Sequence, residues 1–158
     1  MRGILAHAGV LLVFLLLMGC SGESERTPEA QVRAYLDAAE IALEHRSLSE
    51  VSRLISPAYS DSEGRDHRAM KRLLMGYFLR HKTIHILKQV QEITLLDDNV
   101  ARVVLYAGVA GNRPQTEDAL THWRGDLIRL EAEVISRDDE WRLESASWRQ
   151  ASRGDLFH

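Results

Sequence analysis

The chain has 158 residues with 20 Lys and Arg against 23 Asp and Glu, a formal net charge of −3, and a single cysteine. No continuous run of Lys and Arg forms a block for phosphates or a polybasic patch for membranes, so nucleic acid is not expected as a partner. One cysteine excludes an intrachain disulfide, a dithiol redox couple and a thiolate metal cluster, so a folded domain must rely on its core.

The first segment runs Met1-Arg2-Gly3 and then apolar from Ile4 to Met18, broken by His7 and Gly9. A helix crossing the bilayer core needs about 20 apolar residues, and the polar run starting at Ser21 cuts this one short. A removable export signal is therefore expected. Its last residues, Leu17-Met18-Gly19-Cys20, resemble the lipobox of bacterial lipoproteins. The resemblance implies diacylglyceryl transfer to the Cys20 thiol, cleavage before Cys20, and in many bacteria acylation of the freed amine, with palmitate among the chains carried. Residues 1–19 are then the signal peptide and residues 20–26 a lipidated N-terminus and polar tether. The partner implied is the lipid bilayer, held through acylated Cys20 on the cell envelope. Ser21 stands where enteric lipoproteins retained in the inner membrane carry aspartate, so the resemblance implies the periplasmic face of an outer membrane where the host has one.

Thr27-Pro28-Glu29 is a helix start, with a hydroxyl cap, proline at the first helical position and an acid in the first turn. Val32, Tyr35, Leu36, Ala39, Ala42 and Leu43 then repeat at helical spacing to about Arg46. Ser47-Leu48-Ser49-Glu50 reads as a capping box opening a short helix that Ser56-Pro57 ends. The segment from Ala58 to Arg65 is polar and turn-rich, and Asp66 caps a third helix carrying Met70, Leu73, Leu74, Tyr77 and Phe78.

From Thr83 the period drops toward two. Ile84, Ile86 and Val90 share one face while Ile93 and Leu95 fall on the other, so a bulge between Lys88 and Glu92 is needed to restore the phase. Asp97-Asp98-Asn99 is a turn, Val100 to Val109 an interior strand, Gly111 to Thr121 a polar connection, and Leu127 to Ser136 an alternating strand. The last strand, Glu140 to Arg149, places Trp141, Leu143, Ala146 and Trp148 on one face only if it too is bulged. Three helices and four long strands predict an α+β domain over residues 27–150, with helices packed on a curved, bulged antiparallel sheet and a tail at 151–158.

This order, ending in Glu140-Trp141-Arg142-Leu143 and Ala146-Ser147-Trp148-Arg149, resembles the nuclear transport factor 2-like superfamily, whose members fold as a cone. The resemblance implies a pocket between helices and concave sheet, and dimerisation through the sheet in many members. Enzymes, ligand binders and interaction domains all use this fold, so the fold alone chooses none of them.

Tyr59, Asp61, His85 and Tyr106 are the candidate pocket-lining polar groups. An aspartate in an apolar pocket can act as a base and a tyrosine can donate to a developing oxyanion. The competing reading makes Asp61 and Asp66 turn and cap residues and leaves His67 solvated. His81 and His85 are four apart, but the helix ends near His81, so no metal site is expected, and no cofactor. No Gly-rich phosphate loop or Gly-x-Ser-x-Gly motif is present. The sequence thus reads as a noncatalytic envelope lipoprotein binding a protein or a small apolar ligand. The alternative is a small pocket enzyme performing isomerase- or dehydratase-like proton transfer.

Overall fold

A computed structural model describes residues 27–110, 126–152 and 155. The signal segment, Cys20, the tether, the 111–125 connection and most of the tail lie outside the described residues. Helix α1 spans Pro28–Glu44, α2 Leu48–Arg53 and α3 His67–Arg80. The strands are β1 Ile55–Asp61, β2 His85–Asp97, β3 Val100–Ala110, β4 Asp126–Arg137 and β5 Glu140–Gln150, forming one sheet in the order β1-β5-β4-β3-β2.

Both predicted bulges are present. Val90 pairs with Leu105 and Glu92 with Val104, leaving Gln91 over in β2. Glu133 pairs with Ser145 and Val134 with Leu143, leaving Glu144 over in β5. Each extra residue flips the alternation once, so apolar side chains stay on the face that meets the helices. Asp138 and Asp139 both have positive φ (54° and 61°), as a two-residue hairpin turn between right-twisted strands requires.

The segment predicted to be a turn-rich loop is in part a strand. β1 runs parallel to β5, pairing Ile55 with Leu143, Ser60 with Ser145 and Asp61 with Ala146. It lies at the sheet edge, where Pro57 costs no ladder bond, and its register shifts between Ile55 and Ser60. A five-stranded mixed sheet thus replaces the four antiparallel strands expected. Ser47 also departs from expectation. It occupies the cap position of α2, but its side chain makes no capping bond and instead lies 3.4 Å from Ser49 Oγ. Thr27 and Asp66 do cap, accepting from Ala30 N (3.2 Å) and Ala69 N (2.7 Å).

Helix α1 ends in a paired-bond motif, Ser47 N to Ala42 O and Arg46 N to Leu43 O, with Arg46 at φ 56° where glycine is usual. What holds arginine there is its guanidinium, which donates to Phe78 O (2.7 Å) and Lys82 O (3.1 Å) at the end of α3. A cation at a helix C-terminus also complements the dipole. Two apolar clusters fill the concave side. One centres on Tyr59, Phe78, Ile55 and Ala146, the other on Val32, Val103, Val134 and Trp141, and Leu130 and Leu143 touch both.

Candidate functional site

Inside the cone, the chain from Asp61 to Arg65 closes a tight loop on one carboxylate. Asp61 Oδ1 accepts from the backbone N–H groups of Glu63 (2.9 Å) and Arg65 (2.8 Å). Its Oδ2 accepts from Arg65 Nε at 2.6 Å and from the Tyr59 hydroxyl at 3.5 Å. Gly64, at φ +75°, supplies the left-handed residue that lets the loop turn back. Arg65 then lies over the Trp148 ring, 4.6 Å from its centroid.

Burial by itself would push the Asp61 carboxyl up, but the Arg65 guanidinium and the two backbone donors outweigh it and hold the group below the usual carboxylate range. Tyr59 is pushed up, by burial first and by the Asp61 charge second, and so keeps its proton. An ionised aspartate already accepting four donors is a poor base, and its geometry is that of a buried turn held by an ion pair. Because the folded state holds Asp61 below its unfolded value of about 3.9, the stabilisation is complete above that value and lost as pH falls through the folded one. Urea melts from pH 7 down to pH 3 should therefore show stability falling below about pH 4, with a shallower fall in Asp61→Asn. Equal acid slopes in the two proteins would count against this ion pair.

Two of the four candidate pocket residues, Tyr59 and Asp61, are thus brought together. His85 and Tyr106 lie elsewhere. His85 opens β2, its Nδ1 3.9 Å from Glu44 Oε1, which accepts from Ile86 N at 2.8 Å. Together with Lys88, which bonds Asp37 (2.7 Å) and Glu40, this ties α1 to β2. Tyr106 alternates with Leu105 and Ala107, which pack into the concave core, so it lies on the outer sheet face, paired with Gln89 and Arg129. The phase of β3 decides this, and Arg102, exposed and in the same alternation as Tyr106, is the one charged side chain in the strand that marks the outer face.

His67, read from the sequence as solvated, is half-buried, with Nε2 3.3 Å from Ser52 Oγ and 3.2 Å from Ser52 O. It joins α3 to α2 at the edge of an open groove of about 1180 Å³ between α1, α2 and the β4–β5 hairpin. Ala34, Ala38 and Ile41 form one wall, and Trp141 and Leu54 lie opposite. Two bonds set its shape: Tyr35 donates its hydroxyl to Leu54 O (3.1 Å) and Trp141 donates Nε1 to Gln31 Oε1 (2.9 Å). Charges of both signs rim it, Glu50 and Asp139 against Arg53 and Arg142. Sequence reasoning missed this groove. Its signal was the spacing of Ala34, Ala38 and Ile41, a second small apolar stripe beside the core-facing one, with Ile41 53% exposed.

No protein-family model and no curated protein matches this sequence. Solved structures do match its fold. The domain is similar to Bd1075 of Bdellovibrio bacteriovorus (TM-score 0.64, 10% identity, 83% of this chain), of which it spans 44%. It is also similar to a proposed dehydratase of the nuclear transport factor 2-like family from Streptomyces avermitilis (TM-score 0.63, 16% identity, 79% of this chain and 97% of that one). A cystatin-like domain of unknown function from Nostoc punctiforme aligns too (TM-score 0.60, 17% identity, 84% and 83%). The fold is therefore the α+β cone shared by nuclear transport factor 2-like and cystatin-like proteins. Identities this low establish the fold alone.

Proposed function

We propose that this chain is a lipid-anchored envelope lipoprotein whose cone is a noncatalytic recognition domain, taking an apolar polypeptide segment of an envelope protein in the α1–α2–hairpin groove. The observation that carries the reading is the state of Asp61. The one candidate base brought beside a candidate donor is already neutralised by Arg65 and bonded on both oxygens. The groove, by contrast, is open, apolar along its α1 wall and charged at its rim. At about 1180 Å³ it exceeds the usual 300–1,000 Å³ of small-molecule pockets, which favours a segment of chain over a compact ligand. Anchoring rests on the Leu17-Met18-Gly19-Cys20 motif.

A second reading, proton-transfer catalysis, has in its favour the Tyr59–Asp61 pair and a fold shared with a proposed dehydratase. It requires Asp61 to surrender its Arg65 bonds during turnover.

Affinity purification of the full chain from chemically cross-linked envelopes tests the first reading. Ala38→Arg places a long charged side chain on the exposed groove wall and should reduce recovery of the bound protein about tenfold, equivalent to about 1.4 kcal/mol, while leaving the thermal melt unchanged. Equal recovery from wild type and variant would remove the groove as the site.

A further inference from the structure

The helix sequence His-Arg-Ala-Met-Lys-Arg-Leu-Leu-Met-Gly-Tyr-Phe-Leu-Arg of α3 contains no acid. Wound at 100° per residue, Arg68, Lys71, Arg72, Met75 and Leu79 fall within about a third of its circumference. All five are exposed, Leu79 to 78% and Met75 to 47%. Met70 and Phe78 are buried on an adjoining flank of the helix, Phe78 only about 20° of winding from Lys71, so α3 is seated in the core without using the basic face. Among the described residues no carboxylate pairs with Arg68, Lys71 or Arg72. Asp66, the nearest acid in sequence, has Oδ1 occupied by the Ala69 N–H as the helix cap. Arg80 and Lys82 add cations beyond Leu79.

We infer that this face of α3 rests on the anionic headgroups of the membrane to which the chain is anchored, with Leu79 and Met75 entering the interface and Arg68, Lys71 and Arg72 meeting phosphates. Three observations argue for a lipid surface over an acidic protein. Apolar side chains stand among the cations, the pattern of helices that lie in the interface plane. The tether, residues 21–26, reaches at most about 22 Å fully extended, so the domain stays close to the bilayer. That short tether also raises the effective concentration of α3 at the surface, so contacts too weak to recruit a free protein suffice here. The inference rests in this last respect on the proposed acylation of Cys20. It also explains why the sequence shows no polybasic block. The cations are spread at helical spacing and come together only when the helix forms.

The test uses the full chain with Leu79→benzoylphenylalanine, a photo-cross-linking residue, reconstituted in vesicles of phosphatidylethanolamine and phosphatidylglycerol. After irradiation, peptide mass spectrometry reads lipid adducts at position 79 and, separately, the acyl mass on Cys20. A lipid adduct at 79 well above that at Glu92→benzoylphenylalanine on the outer sheet face is expected. It should be lost when Arg68, Lys71 and Arg72 are replaced by Glu, and in vesicles of phosphatidylcholine alone. An acylated chain with no excess adduct at 79 overturns the α3 inference and leaves the lipoprotein reading standing. An unacylated chain that still gives the charge-dependent adduct does the reverse. Absence of both overturns both, and an adduct at 79 formed in whole envelopes with an acidic protein but never with these vesicles gives the face to a protein and removes the lipid assignment.

Discussion

Under the proposed lipoprotein reading, Cys20→Ser should abolish incorporation of labelled palmitate and leave the chain at the mobility of its precursor, because serine offers no thiol for diacylglyceryl transfer and the cleavage proposed before residue 20 would follow that transfer. The effect is all-or-none. Each buried methylene contributes about 0.8 kcal/mol, so a single acyl chain holds marginally whereas two or three make release from the bilayer negligible. Ser21→Asp serves as the control, since under the same reading it should leave acylation intact and bear only on which membrane receives the protein. Should Cys20→Ser be cleaved like wild type, or still take up palmitate, the lipoprotein reading fails, and with it the argument that a short tether confines the domain to the membrane surface.

Trp141→Ala should lower the free energy of unfolding by about 3–5 kcal/mol, the usual cost of truncating a buried aromatic. Trp141 is 7% exposed and packs with Val32, Leu36 and Val134, so its ring joins α1 to the sheet. Its Nε1–H donates to Gln31 Oε1 across 110 residues of chain, which fixes α1 in rotation as well as in distance. Against a total stability of about 5–15 kcal/mol, such a loss leaves a domain that melts early or not cooperatively. Trp141→Phe keeps most of the apolar contact and loses the hydrogen bond, so a cost of about 1 kcal/mol is expected. Urea unfolding followed by circular dichroism measures both. A Trp141→Ala loss under about 1 kcal/mol, less than one ordinary hydrogen bond, would mean that α1 is held chiefly by its ion pairs to Lys88.

The local chemistry of the chain was legible before folding. Thr27-Pro28-Glu29 and Asp66 announce helix starts because capping involves residues three apart. The two bulges follow from counting the phase of Ile84, Ile86, Val90, Ile93 and Leu95, and of Trp141 through Trp148. β1 was hidden because Ser56, Pro57, Ser60 and Asp61 are turn formers by composition. They become a strand only when the edge of β5 offers carbonyls and N–H groups to pair with. The Asp61 site was half legible. Asp61 shapes a turn as its residue type suggests, accepting from Glu63 N and Arg65 N, but Arg65 four residues on carries no mark of the ion pair, since an exposed arginine in a turn reads the same.

Signals set by neighbours within a turn of helix or a pair of strand residues are therefore in the sequence itself: the α+β class, the Thr27 and Asp66 caps, and the bulged phase of β2 and β5. Contacts between distant residues are not. The parallel seating of β1 on β5, the hold of Arg46 on the end of α3, the Trp141–Gln31 bond and the groove it walls each join segments whose ends must first be brought together. Closing such loops is a cost in chain entropy that only the assembled core offsets, and it leaves no period or motif along the chain.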